Sequence, residues 1–174
     1  MHLIIGGDGA LGKVLRTRVA GEQWKATTRR EIKHDWSGST SPTPWIGAIL
    51  LDLSKPIGDL PAADFVYLVA AVTKIAECER DQAGTWVVNA DAPVEIGRRY
   101  VAKGAFVVFV SSDAVEFMGH SAYGRQKAYV ESFMLTIGAA VVRPSRIEPD
   151  SGVALADFMI DMAVNRRSGL HRWR

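Results

Sequence analysis

The sequence predicts one α/β domain over 1–174, with a doubly wound parallel sheet of about six strands. Two observations lead to this prediction. Short apolar runs alternate with longer segments of helical periodicity, which is the pattern of repeated β-α-β units. The run Phe65–Val72 is apolar over its whole length, as expected of a strand that is buried on both faces of a parallel sheet.

The predicted strands are short apolar runs bounded by turn-forming residues. The first breaks at Gly6, and the last is cut off by Pro144. They cover His2–Ile5, Trp24–Thr28, Ile49–Leu53, Phe65–Val72, Ala105–Val110 and Ala139–Arg143. Ser, Thr, Pro and Gly are frequent at 29–45, so we expect a loop there.

The predicted helices are segments in which apolar residues recur at helical spacing. They cover about Gly9–Ala20, Ala83–Lys103, Tyr123–Thr136 and Val153–Arg166. Pro93 is expected to kink the second of them. Residues 1–145 form the core of the predicted domain. Residues 146–174 hold the last helix and a basic tail around Trp173, which we expect to be a solvated terminus.

Composition excludes several classes of protein. With 21 basic and 19 acidic residues, the formal net charge of +2 provides no general field for nucleic acid or a membrane surface. Cys78 is the only cysteine, which excludes an intrachain disulfide and a cysteine-built metal site, and the histidines show no ligand spacing. No apolar stretch is long enough for a membrane span, and no signal segment is recognisable. We therefore expect a cytoplasmic protein that holds no metal.

A glycine-rich turn, GGDGALG at 6–12, connects the first strand to the first helix. Gly6 permits the tight turn, Gly9 lets the backbone approach a pyrophosphate, and Gly12 lets the helix pack closely on the sheet. The pyrophosphate then lies at the positive end of the helix, beside Ala10 and Leu11. The turn thus predicts a dinucleotide-binding Rossmann domain with strand order 3-2-1-4-5-6. The alternative is a glycine-rich turn that binds no ligand.

The end of the second strand indicates which dinucleotide is bound. An acidic residue there accepts hydrogen bonds from the adenosine ribose and marks NAD. This chain has Arg29 and Arg30 instead, and arginine favours the 2′-phosphate of NADP. NADP is therefore the predicted cofactor, while the neighbouring Glu31 leaves NAD open as the alternative. A solvated loop would also account for the two arginines.

A candidate catalytic group of three residues follows the fifth strand. Ser112 follows that strand, and Tyr123 and Lys127 are four residues apart on the next predicted helix, so they project from one face. A nearby ammonium lowers the pKa of a phenol, which can then exchange a proton with a substrate oxygen while a hydride moves. The Ser112 hydroxyl is expected to polarise the same oxygen. The alternative is an ordinary Tyr–Lys surface pair.

Seven segments in a constant order resemble the extended short-chain dehydrogenase/reductase superfamily. Within it, the sequence is most similar to the dTDP-4-dehydrorhamnose reductase-like, sugar-nucleotide-binding group, which is related to the NAD-dependent epimerases and dehydratases. The segments are GGDGALG at 6–12, LDL at 51–53, AAVT at 70–73, VVNADAP at 87–93, VFVSSDAV at 108–115, YGRQKAYVE at 123–131 and VVRPS at 141–145.

The resemblance implies roles for further residues. Asp52 and Leu53 would flank the adenine, and Ala70, Ala71 and Val72 would line the cofactor. Ser112, Tyr123 and Lys127 would be the catalytic group, with Lys127 also holding the nicotinamide ribose. Asn89 would lie in the helix that supports the site, although a purely structural polar role accounts for it equally well.

The sequence departs from the group at two places. Ser112 and Tyr123 are only 11 positions apart, and 31 residues follow Arg143, so a full nucleotide-sugar pocket is not expected. Two functions remain. One is a reductase or dehydrogenase acting on a carbonyl or hydroxyl of a sugar-nucleotide-like or smaller substrate. The other is a non-catalytic NADP-binding sensor or partner-binding module.

The resemblance also implies a homodimer through the helices at 83–103 and 121–136. Four apolar side chains on them would supply an interface, although core packing explains them equally well: Tyr100, Tyr129, Phe133 and Met134. His120 precedes Tyr123 and either contacts substrate or is a solvated loop histidine.

Overall fold

The computed structural model describes residues 1–29, 48–145 and 151–173, and Arg30 and Glu31 lie outside this part of the chain. Its strands are β1 (His2–Ile5), β2 (Trp24–Thr28), β3 (Ala48–Leu50), β4 (Phe65–Leu68), β5 (Phe106–Val110), β6 (Ala140–Pro144) and β7 (Gly169–Trp173). Its helices are α1 (Ala10–Arg18), α2 (Ile75–Arg80), α3 (Gln82–Trp86), α4 (Ala92–Val101), α5 (Ala114–Phe117), α6 (Ala122–Thr136) and α7 (Ser151–Val164), with a π-helical turn at Val87–Asp91 between α3 and α4.

The strands form one parallel sheet in the order β3-β2-β1-β4-β5-β6-β7. From β1 the chain adds strands first on one side, as β2 and β3, and then on the other, from β4 to β7, so the sheet is doubly wound. In such sheets the ligand-binding crevice lies at this switch point between β1 and β4. The predicted fold class and the predicted order of the first six strands are therefore confirmed.

The expectation of a solvated tail is wrong for Gly169–Trp173. This segment pairs with β6 over its whole length, from Ala140 opposite Gly169 to Pro144 opposite Trp173. The indole of Trp173 also packs against Phe158 of α7, with ring centroids 5.1 Å apart. Backbone hydrogen bonds to the open edge of β6 and this aromatic contact outweigh the basic, polar composition of the tail.

The two faces of the sheet bury two separate cores. Leu3 and Ile5 of β1 pack on one face, whereas Ile4 between them packs on the other, as the two-residue period of a strand requires. The first core is covered by α4 and α6, and the second by α1 and α7. None of the described helices combines the length and apolarity that a membrane span needs.

The predicted long helix at 83–103 is interrupted. Pro93 lies in the first turn of α4, where its missing N–H leaves no partner for the carbonyl four residues earlier, and the preceding turn widens to the π form. A π turn therefore precedes Pro93 where a continuous α-helix was expected.

Two strands are shorter than predicted. β3 ends at Leu50 and β4 at Leu68. Beyond these points the backbone of 51–54 and 69–74 leaves the sheet and lines the crevice instead.

Candidate functional site

A cleft of about 920 Å³ opens at the carboxyl ends of the central strands. It brings together predicted residues from six separate segments. They are Gly6, Gly9, Ala10, Leu11, Arg29, Asp52, Leu53, Ala70, Ala71, Val72, Ser112, Tyr123 and Lys127. Gly12 lies behind the lining, and Arg30 lies outside the described residues.

The glycine loop is packed so closely that three of its four glycines, Gly6, Gly7 and Gly12, have no room for a side chain. Gly6 has a positive φ of 99°, and a Cβ there would lie 2.8 Å from Ala70. A Cβ on Gly12 would lie 2.1 Å from the carbonyl oxygen of Gly6. These contacts hold the start of α1 against the sheet, as predicted for Gly6 and Gly12.

Gly9 differs from the other three because it faces the cleft. The nearest described atom to a Cβ on Gly9 would be the Gly6 oxygen at 3.4 Å, an ordinary contact distance. Gly9 is exposed, and it lies directly before the first turn of α1, which contains no acidic residue. Bare backbone at the positive end of a nine-residue helix fits a pyrophosphate.

The loop is fastened to the end of β2. The Gly6 N–H donates to Thr27 Oγ1 at 3.0 Å, and the Gly7 N–H donates to the Thr27 carbonyl oxygen at 2.9 Å. The Thr28 hydroxyl donates to Asp8 Oδ2 at 3.3 Å. Arg29, which is exposed, follows at the end of the strand.

Asp52 and Leu53 form a turn at the end of β3. The backbone N–H and the hydroxyl of Ser54 donate to Asp52 Oδ1 at 2.9 and 2.7 Å. These hydrogen bonds lower the pKa of the exposed Asp52 carboxyl, with smaller contributions from Lys55 and Arg29. An ionised carboxylate therefore lies within electrostatic reach of Arg29.

Tyr123 and Ser112 meet deep in the cleft. Burial raises the pKa of Tyr123 to about 12, and the nearby Ser112 hydroxyl opposes that rise. Ser112 Oγ also accepts from the N–H of Ala114 at 3.1 Å, which fixes the hydroxyl at the start of α5.

Lys127 is buried beneath Tyr123. Its Nζ donates to the Val110 carbonyl oxygen at 2.8 Å, and it lies 4.7 Å from the centre of the Phe109 ring and 5.8 Å from that of Tyr123. Burial lowers the pKa of Lys127 to about 8.

The expected lowering of the Tyr123 pKa by Lys127 is therefore wrong. The helical spacing does bring the two side chains to one face. However, the Lys127 ammonium is hydrogen-bonded to the end of β5, and desolvation of the Tyr123 phenol is the largest influence on its pKa.

Asn89 joins the cleft wall to α6. Its Oδ1 accepts from the Val72 N–H at 2.8 Å, and its Nδ2 donates to the Val72 oxygen at 2.9 Å and to Gln126 Oε1 at 2.8 Å. Gln126 in turn donates to Thr85 Oγ1 at 2.9 Å. Asn89 thus holds the segment after β4 in place.

The first turn of α6, which carries Tyr123, is capped twice. Ser121 Oγ accepts from the Gly124 N–H at 3.0 Å, and Glu79 Oε1 accepts from the Ala122 N–H at 2.6 Å. Two of the backbone donors that a helix start leaves unpaired are thereby satisfied on either side of Tyr123. Glu79 comes from α2, directly after the cleft wall.

A buried ionic network behind the site was not predicted. The Ser111 hydroxyl donates to Glu131 Oε2 at 2.9 Å, and Arg143 Nε donates to the same oxygen at 2.8 Å. Arg143 also pairs with Glu116, which accepts from Arg172 of β7. The apolar pattern of α6 does not predict that Glu131 is buried, because its partners lie on other segments: Ser111 directly after β5 and Arg143 in β6.

Several lining residues were also missed: Asp8, Thr27, Thr28, Lys74, Glu77, Val88, Ser111, Pro144 and Ser145. Five of them lie at the carboxyl end of a strand or directly after it, so the carboxyl-edge rule was a usable signal: Thr27, Thr28, Ser111, Pro144 and Ser145. His120 is exposed and does not line the cleft. Within the described ranges, no His, Cys, Asp and Glu side chains group together as metal ligands.

The side chains named for a dimer interface separate into two classes. Tyr100 and Met134 are buried in the core, as core packing requires. Phe133 is half-buried, and Tyr129 is 47% exposed with its ring 5.1 Å from that of Trp86.

Known structures share this fold. A hypothetical dTDP-4-dehydrorhamnose reductase from Sulfolobus tokodaii aligns with a TM-score of 0.73 and 20% identity, over 98% of this chain and 75% of that one. The dTDP-4-dehydrorhamnose reductase of Bacillus anthracis, in complex with NADP, aligns with a TM-score of 0.73 and 16% identity, over 99% of this chain and 74% of the other. MoeE5, in complex with UDP-glucose and NAD, aligns with a TM-score of 0.73 and 17% identity, over 98% of this chain and 74% of that one.

At these identities the structural likeness establishes the fold alone. Among curated proteins, none matches the chain. The family model described as the RmlD substrate binding domain matches residues 1–168, which confirms the resemblance inferred from the sequence motifs. The chain therefore belongs to the RmlD substrate binding domain family.

Proposed function

We propose that the protein is an NAD(P)-dependent oxidoreductase that interconverts a carbonyl and a hydroxyl on a small substrate. The observation that carries the proposal is a single cleft lined by the glycine loop at one end and by Ser112, Tyr123 and Lys127 at the other. Family membership and structural neighbours that include dTDP-4-dehydrorhamnose reductases support an oxidoreductase rather than another Rossmann-type activity.

The residues of the cleft fit a nicotinamide dinucleotide. The exposed backbone at Gly9 and Ala10, with the buried Leu11 beside them, would hold the pyrophosphate at the start of α1. Asp52 and Leu53 would lie beside the adenine, and the wall formed by 70–72 would line the cofactor. Arg29 and, from the sequence, Arg30 favour NADP, with NAD as the alternative.

A bound nicotinamide would supply or accept the hydride. The protein's own groups would manage the proton and the developing charge on the substrate oxygen. Tyr123, whose raised pKa keeps the phenol protonated at neutral pH, would donate a proton to a carbonyl oxygen during reduction. The Ser112 hydroxyl, held beside it, would donate a second hydrogen bond to that oxygen.

Lys127 would act behind Tyr123 and on the nicotinamide ribose. Its low pKa leaves it easily deprotonated, and its Nζ lies at the end of β5, on the floor of the cleft. A ribose hydroxyl offers such an amine a hydrogen-bond partner in addition to the Val110 oxygen.

The substrate that we propose is a sugar nucleotide or a smaller carbonyl compound. MoeE5 was crystallised with UDP-glucose, which supports a nucleotide-linked sugar. The short segment between Ser112 and Tyr123, which holds the four-residue α5, favours the smaller alternative because it offers few substrate contacts.

A non-catalytic NADP-binding module is the second candidate. Burial of the Tyr123 phenol and the use of Ser112 Oγ as an acceptor for Ala114 favour it. The two candidates differ in turnover.

Turnover is tested by following the absorbance of NADPH and NADH during incubation with a panel of nucleotide-linked keto sugars and small ketones. The oxidoreductase proposal expects consumption with at least one carbonyl, and loss of that consumption in Tyr123→Phe. Binding of the nucleotides without consumption of any would favour the second candidate.

We also propose a homodimer through the helical segments at 83–103 and 121–136. Tyr129 of α6, which contacts the ring of Trp86, and the exposed Val87 of the π turn support an apolar patch there.

A further inference from the structure

Asp8 is the acidic residue of the glycine loop, and its carboxylate contacts Thr28, the last residue of β2. Its carboxylate is half-buried, lines the cleft and accepts from the Thr28 hydroxyl. Neither the motif nor the predicted binding set assigns it a role. The N–H groups of Gly6 and Gly7 donate to the hydroxyl and the carbonyl oxygen of Thr27 and hold the loop against this strand end, and the Thr28 hydroxyl holds the carboxylate there.

The charges around this position are mixed. Arg29 follows Thr28 and also lines the cleft, and Asp52 contributes a second carboxylate from the end of β3. Arg16 of α1 is close enough for Asp8 to raise its pKa, although burial of Arg16 outweighs that effect. The cleft at the end of β2 is therefore lined by both carboxylates and a guanidinium. From the sequence, Arg29 and Arg30 considered alone had suggested a purely basic site.

The end of the second strand is where a Rossmann domain receives the adenosine ribose. There the 2′-hydroxyl of NAD donates a hydrogen bond, whereas the 2′-phosphate of NADP carries about two negative charges and has no strong donor. A carboxylate at this point accepts from the hydroxyl and repels the phosphate. A guanidinium does the reverse.

We propose that Asp8 determines coenzyme specificity. Its carboxylate weakens the binding of NADPH and so opposes Arg29, with the result that the protein accepts both NADH and NADPH. This inference rests on the proposed dinucleotide site. It assigns to the loop a second task, because Asp8 discriminates between coenzymes while the neighbouring glycines bind the pyrophosphate that both coenzymes share.

The test is a fluorescence titration of the purified chain with NADH and with NADPH, in the wild type and in Asp8→Asn. Asparagine keeps the size of the side chain and an acceptor for Thr28 but removes the charge. Loss of one negative charge near the 2′-phosphate is expected to strengthen NADPH binding relative to NADH by about tenfold. Arg29→Ala is expected to change the same ratio in the opposite direction.

Asp59→Asn is the matched control, because Asp59 is an exposed carboxylate outside the cleft, and its ratio should equal that of the wild type. Asp8→Ser, which also removes the charge, replaces Asp8→Asn if a melting curve shows that the latter is unfolded.

The outcomes separate the inference from the function on which it rests. If the wild type binds both nucleotides and neither Asp8 variant changes the ratio, the specificity role is wrong and the dinucleotide site stands. A wild type that binds NADPH at least a hundredfold more tightly than NADH also overturns the inference. If the wild type binds neither nucleotide, the proposed function fails and the inference fails with it.

Discussion

The side-chain amine of Lys127 donates to the carbonyl oxygen of Val110 at 2.8 Å. This bond anchors the amine at the carboxyl end of β5, in the wall between the sheet and Tyr123. The Lys127 side chain is buried, and its amine has no carboxylate partner among the residues that the structure describes. The environment of Lys127 therefore favours its neutral form.

The stability of the protein should depend on pH through Lys127. With a folded pKa of about 8 against 10.5 in the unfolded chain, the unfolded state binds more protons between these values. The free energy of unfolding should therefore rise by about 2 kcal/mol from pH 8 to pH 10 through this group. Chemical denaturation at several pH values measures it.

Lys127→Met should remove this rise while filling the same space. The comparison with wild type is confined to pH values below 10, because the raised pKa of Tyr123 makes stability fall at higher pH. Parallel pH curves for the wild type and Lys127→Met would contradict the lowered pKa.

Tyr123→Phe should abolish turnover while leaving nucleotide binding nearly intact. The substitution removes the proton donor and keeps the ring in its packed position. General acid catalysis contributes about 100- to 10,000-fold, so kcat should fall by that factor. Initial rates with the substrate found in the carbonyl screen measure this. Unchanged kcat in the variant would exclude Tyr123 as the acid.

Gly12→Ala should destabilise the fold by about 1–3 kcal/mol, because its Cβ would lie 2.1 Å from the Gly6 oxygen. Gly21→Ala is the matched control, since a Cβ there meets no described atom within 4 Å. Thermal melting of the two variants measures the difference. Equal melting temperatures would contradict the close packing of α1 on the loop.

Asn89→Ala should lower the free energy of unfolding by about 3 kcal/mol, because it leaves the Val72 backbone groups and Gln126 without their buried partner. Asn165→Ala, which alters an exposed asparagine, should change stability by less than about 0.5 kcal/mol. Denaturant titration compares the two. A loss in Asn89→Ala no larger than in the control would contradict the bridging role.

Tyr129→Glu should convert the proposed dimer to a monomer. A charge in the middle of the exposed patch would be desolvated on association, whereas the folded monomer leaves 47% of Tyr129 in solvent. Sedimentation velocity of the wild type and the variant measures this. A wild type that sediments as a monomer at all concentrations would contradict the dimer.

Local patterns in the sequence were sufficient for the sheet order and for most of the cleft. The glycine loop and the strand ends at 51–53 and 70–72 all lie at one sheet edge, because parallel strands deliver their carboxyl ends to the same side. Ser112, Tyr123 and Lys127 meet because a strand end and a helix start are adjacent in this fold.

What depends on contacts between distant segments could not be inferred. β7 forms because the edge of β6 offers unpaired backbone groups to a tail whose composition suggests solvation. The burial of Glu131 depends on Ser111 and Arg143, which come from two different strands. Likewise, the raised pKa of Tyr123 reflects the depth of the cleft, which helical spacing does not report.

The central claim is that a nicotinamide dinucleotide binds in this cleft against the start of α1. The most direct test is the affinity of the wild type and of Gly9→Leu for NADPH and NADH, measured by fluorescence together with the melting temperature. Gly9 is exposed and has an ordinary, negative φ of −68°, so the fold should tolerate leucine, while its side chain occupies the pyrophosphate position. We expect the wild type to bind at least one nucleotide and Gly9→Leu to lose at least tenfold in affinity at an unchanged melting temperature. Absence of binding in the wild type, or equal affinity in the variant, would contradict it.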